Sequence, residues 1–215
     1  MRILSLLFWS AAVSSWPASA ATGFCSDKNL VANVEHAPSA AVVTVPKAWL
    51  SSFTPIKKNV SSPYHPTALR RHYEQAATDK AAGEKFYNLL ADYKERDALV
   101  LGYKAASEAI RARDASMFNK LTYVQNAAHT FEEAVGLDPQ NPEIRFLRFS
   151  VESNLPSFLG LSKHVEEDKE LLVNAVLNHP KSGLDAEAFR TVRTFLIGRG
   201  HVSDEQAQHL NRVAE

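Results

Sequence analysis

The sequence predicts an all-α protein built of antiparallel helical hairpins, about seven helices in number, behind an irregular N-terminal extension. Three observations carry this expectation. Apolar residues recur at spacings of three and four from residue 67 almost to the C-terminus. Capping residues, prolines and glycines punctuate that pattern at short intervals, and short connections imply antiparallel neighbours. The one β-prone run, residues 40–45, has no evident partner strand.

Residues 1–20, "MRILSLLFWSAAVSSWPASA", read as a secretory signal peptide. Arg2 supplies the basic start, residues 3–13 are largely apolar, and Ala18-Ser19-Ala20 is a small-x-small cleavage site. The apolar run is too short to cross roughly 30 Å of hydrocarbon, and no later stretch has the ~20 apolar residues of a spanning helix. Loss of Arg2 with the leader turns 24 basic and 24 acidic residues into 23 and 24, a net charge of −1. That balance argues against a nucleic-acid or anionic-membrane surface, which needs a local basic excess. Cys25 is the single cysteine, so no intrachain disulfide forms, and bulky Phe24 before it does not suit a bacterial lipidation site. It reads as a free thiol in a loose tail, the alternative being a bridge to another chain.

Residues 21–66 form a Pro/Ser-rich segment with five prolines and no helical period, so they read as extended or partly disordered. Trp49, Phe53 and Ile56 are candidates to pin it onto the domain of residues 67–215. The first helix follows Pro66 and runs through Leu69, Tyr73, Phe86, Leu90 and Tyr93, with Gly83 as its expected bend or break. A second helix occupies residues 94–113. After a stop and new cap at Asp114-Ala115-Ser116, a third carries Phe118, Leu121, Val124, Ala128 and Phe131 towards Val135. "GLDPQNP" ends it, and Asn141-Pro142 is a cap with proline at the first helical position.

The fourth helix has Ile144, Leu147 and Val151 on one face, widened by Phe146 and Phe149, and stops near Asn154 before Pro156. "PSFLG" is then an apolar corner whose Phe158, Leu159 and Leu161 are placed to plug between helices. Ser162 is the expected cap of the fifth helix, with Glu166, Glu167 and Asp168 in its first turns as a solvated acidic end that complements the dipole. Val165, Leu172, Val176 and Leu177 supply its core face. Asp185 caps the sixth, and Ser203-Asp204-Glu205-Gln206 is a capping box for the seventh.

Ala127, Phe131, Ala134 and Pro139 follow one another at intervals of four, three and five. This resembles the second helix of a tetratricopeptide repeat, where small alanines let two helices approach and the phenylalanine fills the groove between them. Leu101-Gly102 matches the first helix, but 26 positions separate Leu101 from Ala127, about twice what a regular 34-residue repeat has. The unit is therefore elongated and tetratricopeptide-like, over roughly residues 98–177. "NPEIRFLRFS", "NLPSFLG" and "EEDKELL" also look like segments of uncharacterised secreted bacterial proteins, which bring no chemistry with them. The resemblance implies a scaffolding role through a helical surface, not a reaction.

Catalytic spacing is sparse. His164, Glu167 and Asp168 share a helical face and form the sharpest metal-site reading, yet no further ligands are evident. The chain contains no H-E-x-x-H pair, G-x-S-x-G elbow, P-loop or G-x-G-x-x-G. Arg145 with Arg148, and Arg190 with Arg193, are candidate contacts for a carboxylate, phosphate or partner, against pairing with Glu143, Glu152 and Glu187. No cofactor is expected. The reading is a periplasmic or extracellular, non-enzymatic adaptor for another envelope protein or peptide; the alternative is an enzyme or metal- or anion-binding protein with a site assembled between helices. Export predicts a mature chain that begins at Ala21, to be checked by mass spectrometry of the exported protein. A chain that retains Met1 contradicts it.

Overall fold

The computed structural model describes residues 62–214. They form eight α-helices and no strand: α1 Pro66–Thr78, α2 Lys80–Ala91, α3 Ala98–Asp114, α4 Met117–Leu137, α5 Pro142–Glu152, α6 Val165–Leu177, α7 Ala186–Gly198 and α8 Asp204–Asn211. A 3-10 turn at Ser157–Leu159 joins α5 to α6. The segment expected to be a signal peptide, residues 1–20, and Cys25, Trp49, Phe53 and Ile56 lie outside the described residues. No helix among the described residues is long and apolar enough to cross a membrane.

The eighth helix comes from a break at Asp79, where a single run bent or broken at Gly83 was expected. Asp79 is extended and its carboxylate accepts the Ala82 amide at 2.6 Å, which caps α2. Gly83, the expected break, lies inside α2. A Cβ there would stand 3.0 Å from Ile110 Cγ2, so this glycine serves the close approach of α2 to α3.

Helices pair along the chain as α1/α2, α3/α4, α5/α6 and α7/α8. The first three pairs also stack through contacts of α3 with α1, α2 and α5. The α3/α4 contact is the broadest. Ala105, Ala106 and Ala109 of α3 are buried in one core with Ala127, Phe131 and Ala134 of α4.

Two apolar cores result. One is built on α1–α4 with Ile144, Leu147 and Val151 of α5. The other joins Phe146 and Phe149 of α5 to Leu172 and Val176 of α6, Phe189, Val192 and Leu196 of α7, and Leu210 of α8. Phe146 and Phe149 thus do not widen a single stripe; they serve a second core on the opposite side of α5. The "PSFLG" corner is no plug, since Phe158 is 63% exposed. Leu177, expected in the core face of its helix, is also exposed.

Glu108 is a carboxylate in the α3/α4 contact, 9% exposed, and it accepts the Thr130 hydroxyl at 2.9 Å. Burial raises its pKa, against the opposing effects of Thr130, Lys104 and His129. The native state therefore holds this proton more tightly than the unfolded chain, and the group's contribution to stability falls as pH rises from the ordinary carboxylate value through the raised one. Glu108→Gln should raise the urea midpoint at pH 7 and leave it nearly unchanged at pH 4, where the native carboxyl is already neutral. A lowered midpoint at pH 7 with little change at pH 4 would show instead that the charge itself is needed.

Candidate functional site

The C-terminal ends of α1, α3, α5 and α7 converge on one cleft. Tyr73 and Ala77 line it from α1, and Ala106, Ala109, Ile110 and Arg113 from α3. Ser150, Val151 and Asn154 line it from α5 and its exit, and Phe195 and Arg199 from α7 and its C-cap. Its volume, about 70 Å3, is well below the roughly 300 Å3 at which small-molecule pockets begin. No histidine or carboxylate lines it.

Polar ties close the cleft towards the helix N-termini. The Tyr73 and Ser150 hydroxyls lie 3.1 Å apart, joining α1 to α5, and burial pushes the Tyr73 phenol pKa up. One turn back along α1, Arg70 donates to Glu143 through Nε at 2.8 Å and Nη2 at 2.7 Å. Its Nη1 reaches Asp185 Oδ2 at 2.7 Å and Glu187 Oε2 at 3.3 Å. A single guanidinium thus ties α1 to α5 and to the start of α7. Burial alone would lower the Arg70 pKa, but Glu143 and Asp185 outweigh it, so the group stays charged. Tyr103 adds a 2.6 Å hydrogen bond to Glu143.

The other end is open and carries two guanidinium groups. Arg113 donates to the Ala77 and Ala76 carbonyls at 2.7 and 3.1 Å, which caps the C-terminus of α1, and both Nε and Nη2 donate to Asp114. Arg199 is exposed and lies 5.9 Å from the centroid of the Phe195 ring. It has no ion pair with another described residue.

The expected site residues lie elsewhere. Arg145 and Arg148 do converge on a carboxylate, but it belongs to the chain itself. Arg148 Nε and Nη2 donate to Asp168 Oδ2 and Oδ1, both at 2.7 Å. Arg145 Nη1 reaches Asp168 Oδ1 at 2.7 Å and Glu167 Oε1 at 2.6 Å. Asp168 is fully buried, which corrects its reading as part of a solvated helix end. The nearby acids Glu143, Glu152 and Glu187 do not pair with these arginines, being engaged by Arg70 and His164. Arg190 is exposed on α7, whereas Arg193 lies 4.7 Å over the Phe189 ring and donates to the Val213 carbonyl at 2.9 Å.

His164 does not join Glu167 and Asp168 in one ligand set. Its backbone N–H donates to Glu152 Oε2 at 2.8 Å, and its Nδ1 lies 2.9 Å from Glu152 Oε1. The N-cap of α6 is thus His164, its amide held by Glu152 of α5, and not Ser162, whose hydroxyl donates to the Glu152 carbonyl. Among the described residues, no group of three or more His, Cys, Asp or Glu is placed to hold a metal ion. His179 and His201 instead stack on Phe189 and Phe195. Sequence reasoning singled out neither Arg70 nor Arg199; their partners or surroundings lie on other helices, and no local spacing marks them.

Comparison with protein-family models, curated proteins and solved structures finds no match to the chain.

Asp168 is the residue whose loss should be felt most. Asp168→Ala leaves the buried Arg148 guanidinium without its acceptor and Arg145 with only Glu167 and the Pro139 carbonyl, and should cost about 3–5 kcal/mol. Glu167, with a side chain 58% exposed, should cost less than about 1 kcal/mol on the same change. Urea denaturation separates the two, and similar small losses would contradict this assignment.

Proposed function

We propose that this chain is an exported, non-enzymatic adaptor that binds a protein or peptide segment of the bacterial envelope in the cleft between α1, α3, α5 and α7. The observation that carries the reading is the chemistry of the cleft. Its walls are mostly alanine and other apolar side chains, its rim carries guanidinium, and no acid, base or histidine faces into it. A hydroxyl pair without a base has nothing to accept its proton, so the Tyr73 and Ser150 hydroxyls act as a tie and not as a nucleophile. The carboxylates that sequence spacing made attractive are used to join helices. Apolar, helix-walled grooves of this kind suit recognition of peptide side chains. Stacked hairpins in which small alanines set the helix separation support a tetratricopeptide-like relationship.

A photo-crosslinking amino acid placed at Asn154 in living cells should give a discrete higher-mass adduct of the exported protein. The same group at Gln125, on the exposed side of α4, should give none. Equal adducts from both positions, or none from Asn154, would count against the cleft as the binding surface.

A further inference from the structure

We infer that the cleft receives one apolar side chain from an acidic peptide segment, and that Arg199 at its mouth takes the carboxylate beside that side chain. The inference rests on the adaptor reading and specifies its partner. Size sets the first limit. At about 70 Å3 the cleft is smaller than the ~150 Å3 cavity that holds a benzene ring, so it takes a group of a few carbons, the size of one aliphatic side chain. Shape sets the second. The Tyr73–Ser150 hydrogen bond joins α1 to α5 across the cleft, and Arg70 ties the same two helices one turn further towards their N-termini, so a segment presents its side chain from the opposite end, where Ala77, Asn154 and Arg199 lie.

Charge sets the third. Two guanidinium groups line the rim, one of them, Arg113, already paired with the Asp114 carboxylate, and no carboxylate lines the cleft itself. Arg113 spends its donors on Asp114 and the α1 carbonyls, whereas Arg199 is exposed, without an ion pair to another described residue, and oriented over Phe195. A guanidinium at the lip of an apolar cleft favours a ligand that places a carboxylate next to the group it buries.

The test is selection of random linear peptides displayed on phage against the full exported chain, followed by binding of the synthesised winners to three variants. The winners should carry Leu, Ile or Val next to Asp or Glu. Arg199→Glu and Arg199→Gln should weaken them at least about tenfold, the loss expected of a charge-assisted hydrogen bond. Ala77→Phe, which blocks the mouth, should weaken them as much, with circular dichroism checking that each variant remains folded. Winners that Ala77→Phe blocks but that lack an acid, or that ignore both Arg199 changes, overturn this inference and leave the cleft as the binding surface. Winners indifferent to Ala77→Phe, or none at all when a control target yields them, overturn the adaptor reading as well.

Discussion

Asp168, fully buried between Arg145 and Arg148, is the contact on which the relation of the two halves depends. A buried carboxylate costs several kcal/mol to desolvate and is tolerated only when its lone pairs are filled. Arg148 fills them through the paired edge of its guanidinium, and that planar fork accepts a carboxylate in few orientations. The register of α6 against α5 is thereby narrowly set. Glu152 repeats the device one turn later, reaching across to the first amide of the α6 cap. Net stability is not what such groups chiefly contribute, since well-packed apolar replacements often do as well. Their contribution is a single way for α6 to sit.

Helix α5 can carry this load because nearly every residue in it is buried, each side against something different. Ile144, Leu147 and Val151 close the core of α1–α4, Phe146 and Phe149 open the core of α6–α8, and the two arginines and Glu152 face α6. The cleft follows from the same arrangement. Once α5 lies between α3 and the second core, the ends of α1 and α7 come near it, and Arg70 and Tyr73 tie α1 across. What remains open is the C-terminal end, where Ala77, Asn154 and Arg199 meet.

Much of this was legible wherever the determinants are local. Asn141 before Pro142, Asp185, and the Ser203–Gln206 pair cap the helices assigned to them, because a cap needs only the two or three amides that follow. Ala127, Phe131 and Ala134 of α4 are buried as their spacing required, whereas Phe118 and Leu121, expected in the same stripe, are exposed at the start of the helix. Local reasoning failed where a distant group won. Ser162 had the right chemistry to cap α6, but Glu152 on the preceding helix took the amide. The acids of the α6 first turn look alike in sequence, and only the partners 20 and 23 residues earlier separate buried Asp168 from exposed Glu167. Gly83 was read as a bend or break because glycine weakens helices; here the missing Cβ is what lets α2 reach Ile110. Candidate chemistry suffered most, since each charged cluster that looked reactive along the chain is a tie between helices.

The measurement that tests the account most directly is native-state hydrogen exchange across α5 and its neighbours. If α5 couples the two cores through Asp168, its amides and those of α3 and α6 should exchange only through one global opening, with a common free energy and a common dependence on denaturant. Exchange of α6–α8 through a separate, lower-energy opening while α3 and α5 stay protected would contradict it, and would mean that two cores merely share a helix.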